Sequence, residues 1–306
     1  MAGSSPPPDM SASRTSADPT AAPAMVAGRY MTSELRSAAY SLLVLSSSDD
    51  SRVVRSEVSD HLLTLTLDRP ARRNALDAAM REQLEASLDE AARSASVHAV
   101  VITGTGGSFC AGGDLGSFDD LHDARVYRHV SHGLTALLDT AERFEKPMIA
   151  AVDGVATGVG LTLALCCDWR VASPRARLLF REGTLGLVPT HGGVTRLVKL
   201  VGLARAKEAL LGGDDLDAEA ALRLGLVSEI ADDPVAAARE RARRMLRRAP
   251  LSFGAAKRLA HLAADTDLRS GILAESLAQT ALLGSADHQE GLAAARERRG
   301  PEFAGR

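Results

Sequence analysis

Two glycine-broken segments of this chain could do chemistry with the backbone alone. They are Phe109-Cys110-Ala111-Gly112-Gly113-Asp114-Leu115, and Lys146-Pro147-Met148-Ile149-Ala150-Ala151-Val152-Asp153-Gly154 running into Gly158-Val159-Gly160. Each reads as a loop that hands bare N–H groups to a helix start. Two such groups converging on one point stabilise an oxyanion, the charge that develops on a carbonyl oxygen when a neighbouring proton is removed. Gly104-Thr105-Gly106-Gly107 has neither the GxGxxG spacing nor the lysine of a phosphate loop. No HExxH, paired Cys/His set or Gly-x-Ser-x-Gly elbow occurs. Neither a metal nor a nucleotide redox cofactor is expected.

Three cysteines, Cys110, Cys166 and Cys167, form an odd set without CxxC spacing, as in a reducing compartment. Cys166 and Cys167 sit in an apolar stretch and read as core. Cys110 reads as a small filler beside the first loop, because no base is spaced to activate it.

The elements that position these loops follow from the hydrophobic pattern. A chain of 306 residues with 45% hydrophobic content can bury a full core. Its net charge of −3, from 36 basic and 39 acidic residues, offers no global field for nucleic acid or an anionic membrane. No apolar run approaches the ~18 residues of a membrane helix, so a soluble protein is expected, and the cysteine set places that expectation in the cytoplasm. Residues 1–50 are rich in Ser, Ala and Pro and read as a disordered extension, with Met25 and Met31 as alternative starts and a transit peptide as a further reading.

From about residue 52 the pattern predicts two adjacent strands with a turn at Ser59-Asp60, then a helix capped by Asp77 and running to about Arg93. The run 99–103 reads as a strand buried on both faces and ended by Gly104. A helix over roughly 119–144, a strand at 147–152 and a helix at 158–167 follow. Strands at 168–172 and 177–180 precede Glu182, which falls on a short turn before Gly186. Helices at 193–200, 204–211 and 217–224, a strand at 226–230, a helix at 234–248 and three more helices complete the chain. Pro250 marks a boundary, since proline ends one helix and can open the next. The arginine-rich stretch from Arg239 to Arg248 lacks interleaved aromatics, and reads as a solvated or inter-subunit helix face rather than a nucleic-acid site.

Taken together these residues resemble the enoyl-CoA hydratase/isomerase family, the crotonase superfamily. The matching stretches are Arg69-Pro70 with Asn74-Ala75-Leu76, Ile102-Thr103-Gly104 leading into the first glycine segment, Lys146-Pro147 through Gly160, Cys167-Asp168, Glu182 with Gly186, and Pro189 through Gly193. The resemblance runs from about residue 52 to Phe303. It implies an α/β fold, a spiral of repeated ββα units over 51–249, with a C-terminal helical oligomerisation region over 250–306. It also implies a homotrimer or dimer of trimers and an acyl-CoA substrate, coenzyme A entering as part of that substrate. The oxyanion donors it implies are the amides of Gly113 and Val159. A β-branched residue at 159, where many relatives have glycine, narrows the space beside the thioester.

The family's hydratases flank the α,β-carbons with two glutamates. One matches Glu182; at the other this chain has Thr162. Adding water across a double bond suits paired carboxylates, whereas moving a double bond from the β,γ to the α,β position needs one base. An alcohol is too weak a base to replace a carboxylate. Isomerisation is therefore expected ahead of hydration. His191 reads either as a second base or as part of the cap of the following helix. Asp114 reads as a helix N-cap and loop anchor. For the coenzyme A handle the resemblance points to Arg69, Arg72 and Arg73 around Ala75, to Ala111, and to Arg298, where a family aromatic three residues earlier is replaced by Ala295. The alternatives are hydration by Glu182 with Thr162 or His191, decarboxylation or hydrolysis of a specialised acyl-CoA, and a catalytically silent CoA-binding subunit.

Overall fold

The structure, a computed structural model, describes residues 52–114, 116, 122–213 and 215–306. The expected N-terminal extension lies outside them. β1 (Val54–Ser59) and β2 (Leu62–Leu67) form an antiparallel hairpin in the register Val54↔Leu67. Its two turn residues, Asp60 and His61, both have positive φ, as a tight two-residue hairpin requires. α1 (Ala78–Arg93) starts on Asp77, whose carboxylate accepts the Met80 N–H at 2.9 Å, and buries Met80, Leu84, Leu88 and Ala91.

Next come β3 (Ala99–Gly104), β4 (Ser108–Cys110), α2 (Ala124–Arg143), β5 (Met148–Val152), β6 (Val155–Thr157) and α3 (Gly158–Cys166). β7 (Trp169–Ala172) and β8 (Arg177–Leu179) follow, and Glu182–Leu185 forms a short 3-10 turn. Helices α4 (Gly193–Val201) and α5 (Leu203–Leu211) lead to β9 (Leu216–Asp217), α6 (Ala218–Leu224) and β10 (Glu229–Ile230). α7 (Pro234–Met245), α8 (Pro250–Ala263), α9 (Leu268–Leu283) and α10 (Ala286–Glu297) end the chain. Among the described residues, no helix is long and apolar enough to cross a membrane.

This mixed α/β fold has two sheets. The larger has the order β1-β2-β3-β5-β7-β10, all parallel except β1; the smaller has the order β4-β6-β8-β9, with only β9 antiparallel. Alternation along β3 divides the core, because successive side chains point to opposite faces. Val100 and Ile102 join the main cluster with α1 and α2, while Ala99 and Val101 meet Ala238 and Ala242 of α7 on the other face.

Several boundaries differ from the sequence expectation. The strand expected at 226–230 is reduced to Glu229–Ile230, because the amides of Leu226 and Val227 turn back onto the Ala221 carbonyl at the end of α6 and cannot join the ladder. The helix expected to reach 248 ends at Met245. β4, β6 and β9, each two or three residues long, were not anticipated.

Candidate active site

The smaller sheet explains how distant residues meet. β4, β6 and β8 are parallel neighbours, so their C-terminal ends share one edge. The chain leaving β4 carries Gly113, that leaving β6 carries Val159, and that leaving β8 carries Glu182. At a strand spacing of about 4.8 Å, two steps along this edge span roughly 10 Å.

The first loop is held so that its amide points outward. Leu76 donates to Gly112 O at 2.7 Å and accepts from the Asp114 N–H at 3.0 Å. A parallel bridge of this kind engages the residues on either side of Gly113. The N–H of Gly113 therefore faces away from Leu76, and no acceptor within the described residues takes it. Val159 is the second residue of α3, in the first turn, where amides have no intrahelical acceptor. Thr157 makes no side-chain cap, which leaves this helix end open.

Two glycines permit the loops to meet. Gly112 has φ +92°, and a Cβ there would lie 3.0 Å from Thr157 O. At Gly160 a Cβ would lie 2.5 Å from Cys110 Sγ and 2.6 Å from Cys110 O, so α3 packs directly on the strand beneath it. A Cβ at Gly158 would be 3.6 Å from Gly112 Cα and 3.8 Å from Glu182 Oε1. Both loops and the Glu182 carboxylate thus converge on one point.

The Glu182 carboxylate lies beside this point. Its Oε2 is buried without a hydrogen-bond partner among the described residues, and burial raises its pKa above the ordinary carboxylate value. Thr162 is buried; its hydroxyl donates to Gly158 O at 3.2 Å and lies against Gly193, where a Cβ would be 2.9 Å away. His191 adopts a left-handed backbone at φ 53°, and its Nδ1 lies 3.2 Å from Thr135 Oγ1 of α2. Burial lowers its pKa, favouring the neutral imidazole. The N-cap of α4 is Gly192, not His191; the His191 carbonyl instead accepts from Arg196 Nη1 at 2.7 Å.

Asp114 anchors its loop, accepting the Gly116 N–H at 3.1 Å and the Arg69 guanidinium at 3.0 Å. The first of these contacts, then Arg69, holds its pKa below the ordinary value. Arg69 is a clamp within the chain, also bonded to Ala75 O at 2.6 Å and to Asp77 at 3.1 Å. Arg72, Arg73 and Arg298 are exposed, and their side chains make no hydrogen bond or ion pair among the described residues. Arg73 and Arg298 both have positive φ, and the Arg73 carbonyl accepts the Ala111 N–H at 2.9 Å.

Burial pushes the Cys110 thiol up to about 12, in accord with a filler role. Asn74, met in the sequence only as part of a motif, is fully buried at φ 58°. Its Nδ2 donates to Thr105 O and Ser108 O, at 2.9 and 2.7 Å, and its Oδ1 accepts the Arg69 N–H at 2.9 Å. Asn74 thereby ties the Arg69 turn to the strand entering the first loop. An asparagine that tolerates left-handed backbone next to an arginine turn was the available signal.

A cleft of about 1400 Å³ lies elsewhere. Asp168, Arg170 and Lys257 line it, at the edge where β5 and β7 begin rather than where β4, β6 and β8 end.

The chain is also similar to known proteins over most of its length. A model of the enoyl-CoA hydratase/isomerase family matches residues 57–306. The chain is 38% identical over 247 residues to 2,3-dehydroadipyl-CoA hydratase of Escherichia coli K12, covering 80% of this chain and 96% of that one. It is 33% identical over 253 residues to an enoyl-CoA isomerase/hydratase, fer4, of Mycosarcoma maydis, covering 79% and 92%. The crystal structure of an enoyl-CoA hydratase from Bacillus anthracis superposes with a TM-score of 0.80 at 31% identity, over 83% of this chain and 100% of that one. The chain belongs to the enoyl-CoA hydratase/isomerase family, whose members act on acyl-CoA thioesters.

Proposed function

We propose that this family member moves the double bond of a 3-enoyl-CoA into conjugation, giving the 2-enoyl-CoA. In this reading the thioester oxygen lies between the amides of Gly113 and Val159. Glu182 removes a proton from C2, the electrons of that bond pass into a dienolate held by the two amides, and Glu182 returns the proton at C4. The reaction needs neither water nor a second base. Its raised pKa makes Glu182 a stronger base than an exposed carboxylate.

The observation that carries this reading is the pairing of Glu182 with Thr162. The hydroxyl of Thr162 is committed to Gly158 O, and an alcohol cannot serve as a second carboxylate. His191 is tied to Thr135 of α2, and among the described residues its side chain makes no hydrogen bond to Glu182 or Thr162. Hydration is the second reading, favoured by the name of the Escherichia coli relative, a hydratase. The name of the Mycosarcoma maydis relative includes both reactions.

Coenzyme A enters as part of the substrate. Ala75 and Ala111 border its path in this reading, and Arg72, Arg73 and Arg298 supply cations for its phosphates. Arg69 contributes indirectly by holding Ala75 and Asp114. The alternation of strands between the two sheets supports the spiral of ββα turns. α9, sixteen residues without one buried side chain, supports oligomerisation through the C-terminal helices.

Incubation with 3-enoyl-CoA and with 2-enoyl-CoA in deuterated water tests the assignment. Conversion of 3-enoyl-CoA to 2-enoyl-CoA, with little 3-hydroxyacyl-CoA from either substrate, is expected. Rapid hydration of 2-enoyl-CoA while 3-enoyl-CoA remains untouched would overturn it.

A further inference from the structure

Arg170 carries a buried charge that the proposed reaction does not use. Its residue is only 4% exposed, and no carboxylate among the described residues pairs with it. The other buried cations have acidic partners: Arg196 meets Glu142 and Asp139, and Lys257 meets Asp168. The hydrogen bonds of the Arg170 guanidinium among the described residues go to carbonyl oxygens. Nη1 donates to Ala164 O at 3.3 Å and Cys167 O at 2.6 Å; Nε donates to Leu226 O at 2.5 Å. Ala164 lies in the last turn of α3, and Cys167 is its C-cap. Asp168 acts on Arg170 only at longer range, and a buried cation with no directly paired carboxylate is costly unless fixed dipoles help to compensate it; a helix C-terminus is such a dipole.

The other end of the same helix presents Val159. Nine residues make α3 about 13 Å long, too short to be stable on its own hydrogen bonds. Its side chains from Gly160 to Cys166 are all buried and nearly all apolar, so they give little polar restraint along the axis. The N-terminal end lacks a side-chain cap, as an end that must receive a ligand requires. The polar restraint on α3 is therefore concentrated at its C-terminal end, on Arg170.

We propose that Arg170 is a positioning residue for the oxyanion site, fixing where α3 presents the Val159 amide and compensating the negative pole of that helix. The inference rests on the reading that a thioester binds between Gly113 and Val159. Its mechanism is mechanical and electrostatic: the clamp at Ala164 and Cys167 sets the axial position of the helix, and the fixed charge holds the helix dipole aligned with the developing oxyanion.

The test is the carbonyl stretch of a bound acyl-CoA carrying 13C at the thioester carbon, read by infrared difference spectroscopy for the wild type, Arg170→Lys and Arg170→Met. Polarisation by two amides lowers that frequency relative to the free thioester. In Arg170→Met the band should return toward the free value, kcat should fall about tenfold, a fraction of the loss on deleting an oxyanion donor outright, and KM should change by less than about twofold. Arg170→Lys, which retains the charge, should lie between. Loss of packing alone would lower Tm without moving the band. If the wild-type band is not shifted, the oxyanion reading fails and the inference falls with it. If the wild-type band is shifted and that of Arg170→Lys has the same frequency and kcat, the inference alone fails; the lysine variant decides the matter should the methionine variant not fold.

Discussion

Among single residues, the proposed reaction concentrates its chemistry on Glu182 and asks none of Thr162. Replacing Glu182 by Gln should lower turnover by at least about a hundredfold while leaving CoA affinity intact, because the amide is nearly isosteric but cannot take a proton. The same variant should melt at a higher temperature near neutral pH. A carboxyl whose folded pKa is raised contributes stability that is present below its unfolded value of about 4.3 and lost as pH rises through the folded value. The ionised, half-buried Glu182 is thus a net cost at neutral pH, and the gain in Tm should vanish in acid. The acid limb of the rate profile should also lie above the ordinary carboxylate range, since the base must be ionised to act. Thr162→Val removes the hydroxyl with little change of shape, and isomerisation should stay within about threefold of wild type. A loss comparable to that of Glu182→Gln would place Thr162 in the proton path.

At the scale of elements, the loops work because helix and strand approach more closely than side chains would allow. Gly160→Ala puts a methyl group within 2.6 Å of both the Cys110 side chain and its carbonyl oxygen, so trimming the cysteine could not relieve it. Overpacking of this sort should cost about 1 to 3 kcal/mol, read as a lowered urea midpoint, and lower kcat by displacing α3. Most of the long elements were legible in the sequence. The buried runs of β3 and β5 and the Asp77 cap of α1 declared themselves by hydrophobic continuity and capping chemistry. The smaller sheet was not legible. Three-residue strands such as β4 and β6 are too short for alternation to register, and their partners lie 22 to 47 residues away in the register Ser108↔Val155 and Val155↔Arg177. Yet that sheet gathers Gly113, Val159 and Glu182 at one edge. The candidate residues could be named from a family resemblance, whereas their juxtaposition depended on pairing between distant segments. Arg69 shows the limit of the same reasoning: its type suits a phosphate, but its neighbours Ala75, Asp77 and Asp114 occupy the guanidinium.

At the scale of the whole molecule, the C-terminal helices are both anchored and unfinished. Lys257 of α8 pairs with Asp168 at 2.9 Å, and Asp168 also accepts the Met148 N–H at 2.8 Å, joining this region to the start of β5. Part of the arginine-rich helix serves the same purpose: Arg239 bonds Thr64, and Arg241 pairs with Glu229 at 2.7 Å beside Trp169. Against the expected solvated or inter-subunit helix face, Arg239 and Arg241 are thus engaged within the chain, whereas Arg244 and Arg247 are exposed. α9 instead exposes Leu268, Ile272, Leu273 and Leu277, apolar surface that the proposed oligomer would cover. Leu273→Glu combined with Leu277→Glu should yield a smaller species by sedimentation velocity, with the fold of the monomer retained; an unchanged sedimentation coefficient would remove α9 from the interface.

The central claim is that one carboxylate breaks the C2–H bond of a thioester held by two amides. Single-turnover reaction of 3-enoyl-CoA deuterated at C2 addresses it most directly. Conversion should be several-fold slower than for the unlabelled substrate, with part of the label recovered at C4 of the 2-enoyl product. Equal rates for labelled and unlabelled substrate, with no label at C4, would contradict it.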